Sequence, residues 1–144
     1  MSNLSLFDDA PPASDETLEA INAELLQRAQ THPQFKERIY IFGEGQPGAR
    51  AAVVGESPGA PDIESGKPFM GPAGDMLVKI LAAVGLKRAD CYLTNAVKMI
   101  SNGDEMTPDV LSFFTPYLHR ELAVDDAGFQ PAGAVLRVGE RTSR

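Results

Sequence analysis

Runs of strand-forming residues alternate with amphipathic helical segments along this chain, and that alternation limits the fold more than any other feature. The strand-like runs are Ala51–Val54, Cys91–Asn95 and Ala134–Gly139. Helical periodicity over residues 15–31 and 73–84 predicts a helix before each of the first two strands. A third helix is predicted before the last strand, with Thr107 as its cap and Pro108 as its first residue. This order predicts an α/β fold of three layers (α/β/α), with a central parallel sheet and right-handed crossovers.

The ends of the chain set the expected domain limits. The 144 residues suggest one domain, which we expect to span residues 15–144 after a disordered tail of residues 1–14. A parallel sheet that stops at its third strand would have an unpaired edge. The domain is therefore expected to lack its last strand, or to have a partner there. Residues 39–42 fit either a short edge strand or an irregular loop.

Composition excludes several classes of protein. There is a single cysteine, Cys91, which rules out an intrachain disulfide and fits a cytoplasmic location. No apolar run is long enough for a transmembrane helix, so no membrane partner is expected. Neither a P-loop nor a dinucleotide-binding fingerprint is present. The net charge of -7 argues against DNA binding, unless basic residues gather on one face.

Two polar sites follow predicted strands, one in the glycine- and proline-rich loop of residues 55–72 and one at Asn95. Ligands of parallel α/β sheets bind at the carboxyl ends of strands, and loops of this length are usually functional. Each candidate also has a simpler interpretation. Phe69 could belong to the core, Asn95 could cap a loop, and Glu56 and Asp62 could be solvated loop acids.

Two stretches carry a resemblance to a known family. Residues 55–59 (GESPG) and 66–74 (GKPFMGPAG) are similar to G-E-A-P-G and G-x-P-F-V-G-x-A-G of the bacterial and archaeal family 4 uracil-DNA glycosylases. Residues 92–98 (YLTNAVK) are similar to the family's Y-x-T-N-x-V-K strand. The likeness runs from about residue 51 to residue 122. It implies a uracil-DNA glycosylase-like fold, uracil-containing DNA as a partner, and base-excision repair as the function.

The resemblance also implies roles for individual residues. Asn95 would read the Watson–Crick edge of a flipped uracil, and Phe69 would stack on its ring. Backbone groups of Glu56, Ser57 and Pro58 would contact the base. A carboxylate, from Glu56 or Asp62, would hold the attacking water or balance the cationic sugar of the transition state.

The chain departs from the family in two places. Family members bind a 4Fe–4S cluster through four cysteines, but Met99 and Phe114 stand at or next to two of those positions. We therefore expect no metal and no cofactor, with apolar packing in the space of the cluster. The family's second catalytic motif, a His-Pro-Ser-like loop after the fourth strand, is expected beyond the last residue of this sequence. Weak or absent hydrolysis is thus expected, and the alternative is a non-catalytic remnant that binds DNA or the sliding clamp.

The first residues suggest a further partner. Asn3–Phe7 (NLSLF) is similar to the pentapeptide by which bacterial repair and replication proteins dock on the sliding clamp. Leu4, Leu6 and Phe7 would fill an apolar cleft of the clamp. The alternative is a frayed terminus that folds back on the core.

Overall fold

The computed structural model describes residues 16–45, 49–100, 106–124 and 129–137, with the backbone alone at residue 50 and at 129–137. Its elements in chain order are α1 (Leu18–Ala29), β1 (Ala49–Gly55), α2 (Ala60–Ser65), α3 (Gly71–Ala83), a 3-10 helix (Arg88–Asp90), β2 (Cys91–Asn95), α4 (Pro108–Ala123) and β3 (Phe129–Arg137). Leu4, Leu6 and Phe7 of the predicted tail lie outside the described residues. Within these limits, no helix has the length and apolar character needed to cross a bilayer.

The three strands form a parallel sheet in the order β2-β1-β3. The predicted α/β class and parallel pairing are therefore confirmed. β3 begins at Phe129, well before the predicted start at Ala134, because Phe129 already pairs with Ala49. The register then shifts between Ala49 and Ala51. Pro131 argues against a strand in the sequence, since proline is tolerated in strands mainly at sheet edges, and this part of β3 was therefore not predicted.

Helices pack on both faces of β1. Successive strand residues point to opposite faces of a sheet, and the core divides in the same way. Ala51 and Val53 pack in a cluster with Leu77 and Leu81 of α3. Ala52 and Val54 belong to a second cluster, which contains the buried residues of α1 and most of the buried apolar residues of α4.

Hydroxyl caps fix the first turns of the two long helices on that second face. Thr17 caps α1, and its side chain accepts a hydrogen bond from the Ala20 amide at 3.1 Å. The predicted start at residue 15 was therefore too early. Thr107 caps α4 by accepting from the Val110 amide at 3.3 Å, and Pro108 is the first helical residue, as the sequence predicted.

The segment before β1 covers the outer edge of β2. Tyr40 and Met99 form one isolated antiparallel bridge, and Glu44 and Leu93 form another. The Glu44 amide donates to the Leu93 carbonyl at 2.9 Å, and the Leu93 amide donates to the Glu44 carbonyl at 2.7 Å. The residues at 39–42 are thus an irregular segment with ladder contacts rather than a full edge strand. They pair backbone groups that an open edge would leave exposed.

Candidate functional site

The carboxyl ends of β1 and β2 meet at Gly55 and Asn95, which are partners in the parallel register. Beyond this pair, the Ala96 amide donates to the Gly55 carbonyl at 2.8 Å, and the Val97 amide donates to the Glu56 carbonyl at 2.9 Å. Asn95 is only 4% exposed. The backbone of Asn95 is therefore held by a hydrogen-bonded ladder, and its buried carboxamide extends from a strand rather than from a free loop.

Gly55 is the point at which two predicted site residues converge. A Cβ atom built on Gly55 would lie 2.5 Å from Asn95 Oδ1 and 2.9 Å from Phe69 Cζ. Any larger residue would have to displace the amide or the ring. An aromatic ring and a fixed carboxamide thus share one small space at the end of β1, directly before the loop that begins with Glu56.

Phe69 is held in an unusual backbone conformation. Its φ is 56°, in the left-handed region, which costs a residue with a Cβ roughly 1–2 kcal/mol. A Cβ on Gly74, in the first turn of α3, would overlap the Phe69 carbonyl, so Gly74 permits this close approach. The ring is also part of the core cluster beneath α3. The core interpretation of Phe69 is therefore supported, and stacking of the ring on a base stays a prediction.

Asp62 lies in α2, a short helix that the sequence analysis treated as loop. Its carboxylate accepts from the Met70 amide at 2.9 Å through Oδ1 and from the Gly59 amide at 3.2 Å through Oδ2. The side chain is buried, at 5% exposure. Asp62 therefore ties the start of α2 to the residue after Phe69. A catalytic role for Asp62 stays a prediction, but these contacts give the carboxylate a role in building the loop.

The other predicted loop residues lie directly after β1. Glu56 and Ser57 are half-buried, and Pro58 is buried. The hydrogen bond from Val97 fixes the backbone of Glu56 next to the end of β2. Of the two candidate carboxylates, Glu56 is the one that solvent reaches more readily. It also lies next in sequence to the glycine where Phe69 and Asn95 converge.

Sequence analysis missed a buried polar network beneath Asn95. Lys98 Nζ donates to the Asn95 carbonyl, to Thr94 Oγ1 at 2.9 Å and to Glu121 Oε1 at 2.7 Å. Glu121 Oε2 accepts from the hydroxyls of Tyr92 and Thr94. The ion pair is almost fully buried, with 3% of the Lys98 side chain and 2% of the Glu121 side chain exposed. A lysine four residues after a strand threonine was the available signal, but its partner on α4 could not be inferred.

The network perturbs the titration of its phenol. Burial raises the pKa of Tyr92 well above its usual range, and the neighbouring Glu121 carboxylate raises it further. A Cβ added at Gly43 would lie 2.5 Å from Tyr92 Oη and 2.6 Å from Glu121 Oε2. The glycine of the segment along β2 therefore packs directly on this network, which closes it from solvent.

The residues at the implied cluster positions do not fit an iron–sulfur centre. Met99 and Phe114 are each 1% exposed and belong to one hydrophobic cluster. The Phe114 ring lies 5.0 Å from that of Phe113 and 5.7 Å from that of Phe35, both edge-on. A thioether and a phenyl ring cannot replace the thiolates that hold such clusters. Cys91 is buried at the start of β2, and nowhere among the described residues do three His, Cys, Asp or Glu side chains gather as metal ligands would.

The comparisons of this chain with known proteins agree on one family. Residues 42–135 match the model of the uracil DNA glycosylase superfamily. The chain is 34% identical over 108 residues to the type-4 uracil-DNA glycosylase of Archaeoglobus fulgidus, covering 74% of this chain and 54% of that protein. It is 33% identical over 103 residues to the type-4 enzyme of Pyrobaculum aerophilum, covering 70% of this chain and 53% of the relative. It is 36% identical over 84 residues to the type-4 uracil-DNA glycosylase of Thermotoga maritima, covering 58% of this chain and 44% of that protein. The chain thus spans about half the length of the curated relatives it matches.

Proposed function

Because the chain belongs to the uracil DNA glycosylase superfamily, we propose that it binds uracil-containing DNA and hydrolyses the N-glycosidic bond of a flipped deoxyuridine in base-excision repair. The observation that supports this most directly is the convergence of the Phe69 ring and the Asn95 amide at Gly55. We expect the parallel sheet and its helices to form the three-layer α/β/α arrangement of that superfamily.

The carboxamide of Asn95 supplies the base specificity. Its NH2 group donates to uracil O4, and its carbonyl oxygen accepts from uracil N3–H. Cytosine presents the opposite pattern at these two positions, so a fixed amide rejects it. The backbone of Asn95 belongs to the sheet ladder, and its backbone carbonyl accepts from Lys98 Nζ, so the side chain that reads the base starts from a fixed position.

Phe69 and the loop carboxylate complete the reaction site. The phenyl ring stacks on the extruded base, an interaction that is sequence-tolerant because every base has a π-face. In the reaction, the C1′–N1 bond breaks, uracil leaves as an anion, and the oxygen of a water molecule bonds to C1′. The proton that this water loses passes to the Glu56 carboxylate and from there to the uracil anion. Glu56 orients that water and balances the positive charge that develops on the sugar. Asp62, with both oxygens on loop amides, supports the position of Phe69.

We expect recognition to be stronger than turnover in these 144 residues taken alone. They contain no segment similar to the family's His-Pro-Ser-like loop, whose histidine would stabilise the departing uracil anion. Loss of one such donor costs on the order of 3 kcal/mol, or about a hundredfold in rate.

Binding and cleavage are best measured on the same single-stranded oligonucleotides. One carries deoxyuridine, a second carries the non-hydrolysable 2′-fluoro-deoxyuridine, and a third carries deoxycytidine. We expect fluorescence anisotropy to show tighter binding of the second than of the third, and single-turnover assays to show slow uracil release. Asn95→Ala should lower the preference for uracil, and Gln27→Ala, which removes an exposed carboxamide from α1, should not. Equal affinity for uracil and cytosine DNA would refute the proposal.

Binding without release would instead favour the alternative, a non-catalytic member that recognises uracil. Recruitment to the sliding clamp through Asn3–Phe7 is part of the same proposal and has its own test. Changing Leu6 and Phe7 to Ala should abolish binding of the full chain to the clamp in surface plasmon resonance. Unchanged clamp binding would eliminate that role without affecting uracil recognition.

A further inference from the structure

Arg88 reaches from the 3-10 helix before β2 to the backbone of the Phe69 segment. Its Nη1 donates to the Phe69 carbonyl at 2.8 Å, and its Nη2 donates to the Pro68 carbonyl at 2.6 Å. Nη2 also lies 3.6 Å from Met70 Sδ. The planar guanidinium thus binds two successive carbonyl oxygens with parallel donors, a geometry that lysine cannot reproduce.

The carbonyl that Arg88 holds belongs to the residue with the left-handed conformation. Such a conformation persists only where its surroundings over-determine it. Asp62 fixes the amide of Met70 on the C-terminal side of Phe69, and Gly74 allows the close approach of the Phe69 carbonyl to α3. Arg88 adds the only side-chain donor that the described hydrogen bonds bring to this carbonyl.

The surroundings of Arg88 also determine where its guanidinium lies. Glu44 Oε2 is 3.9 Å from Arg88 Nη2, and 27% of the Arg88 side chain is exposed. Glu44 itself is bonded to β2 through Leu93. The arginine therefore links three parts of the fold: the segment along β2, the 3-10 helix and the loop that carries the aromatic ring.

We propose that Arg88 is a positioning residue that keeps the Phe69 ring at Gly55 and Asn95 by holding the Phe69 backbone in its left-handed conformation. In this role Arg88 acts through the backbone of Phe69 and needs no contact with a base. The consequence for DNA binding rests on the function proposed above, whereas the consequence for the ring does not.

Fluorine NMR of protein labelled with 4-fluorophenylalanine tests the positioning directly. The chain has seven phenylalanines, and the Phe69→Leu variant assigns the signal of Phe69. Arg88→Met keeps an unbranched side chain but removes both donors. We expect the Phe69 signal to shift or broaden in Arg88→Met and to shift less in Arg88→Lys, which keeps the charge and one donor. Arg28→Met, which removes a guanidinium from α1, should leave the Phe69 signal in place.

Affinity for the 2′-fluoro-deoxyuridine oligonucleotide should fall about tenfold, or about 1.4 kcal/mol, in Arg88→Met, because the ring is then no longer held in place to stack on the base. Arg88→Lys should recover part of that loss. A Phe69 signal that is unchanged in both Arg88 variants would overturn the positioning role, and Arg88→Lys keeps this test available if Arg88→Met does not fold. A shifted Phe69 signal with unchanged affinity would uphold the positioning role and count against the proposed function instead.

Discussion

Replacing Glu121 by Gln tests how far the fold depends on the ion pair beneath the site. Glu121 receives Lys98 Nζ on one oxygen and the hydroxyls of Tyr92 and Thr94 on the other. A glutamine of the same shape has one amide group that can only donate. Its NH2 group must face either the ammonium, which cannot accept, or the two hydroxyls, which then lose the acceptor they donate to. In both cases Lys98 keeps a buried charge without its carboxylate.

Breaking a buried pair on one side costs about 3–5 kcal/mol. For a domain of this size we expect the melting temperature to fall by on the order of 10–20 °C. Urea unfolding followed by circular dichroism measures the loss. Glu19→Gln, on the exposed side of α1, is the matched control and should change the free energy of unfolding by less than about 0.5 kcal/mol.

The double variant Lys98→Met, Glu121→Met separates the charge effect from loss of shape. Replacing both partners by apolar residues often restores most of the stability. We therefore expect the double variant to be more stable than Glu121→Gln, although the Asn95 carbonyl loses its lysine donor. If the free energy of unfolding of Glu121→Gln lies within about 1 kcal/mol of that of the unchanged protein, the buried ion pair does not stabilise this fold.

Three further predictions concern the site and the pH dependence of stability. Gly55→Ala should abolish preferential binding of uracil DNA, because the added Cβ takes the space where the Asn95 amide and the Phe69 ring converge. The same overpacking should lower the free energy of unfolding by about 1–3 kcal/mol. Selective binding that survives the substitution would contradict the site geometry. The free energy of unfolding should fall as the pH rises above about 10, because the tyrosines of the unfolded chain then release protons that the folded protein retains. Two folded tyrosines have this property: the pKa of Tyr92 is raised well above its usual range, and burial raises the pKa of Tyr40 to about 12. Tyr92→Phe should flatten this decline in urea titrations, and an unchanged slope would show that Tyr92 is not its source. Asp62→Asn should lower the free energy of unfolding by about 1–3 kcal/mol through its loop amides, and a loss of uracil release at unchanged stability would indicate a direct role in the reaction instead.

The parts of the fold that the sequence predicted are those set by local pattern. The apolar runs predicted the parallel strands, and Thr107 with Pro108 predicted the start of α4, because capping chemistry depends on a few neighbouring residues. The sequence motifs also identified Phe69 and Asn95, which the fold brings together. Their juxtaposition follows from the register of β1 and β2, which short apolar runs do not reveal.

The parts that sequence analysis missed depend on contacts between distant residues. Glycine and proline around Asp62 suggested a loop. Its carboxylate instead caps the start of a short helix and accepts from the Met70 amide. Nothing local to Arg88 predicts that it binds the carbonyls of Pro68 and Phe69. Such partners become visible only when separate segments are brought together in space.

The pairing of Gly55 with Asn95 in one ladder has a consequence for how this site can change. In the proposed function, the group that would select the base belongs to a rigid strand, while the acid that would assist bond cleavage belongs to the adjoining loop. Substitutions in that loop can therefore alter the reaction rate without altering which base is chosen. For engineering, strand positions are the place to redesign selectivity, and loop positions are the place to tune turnover.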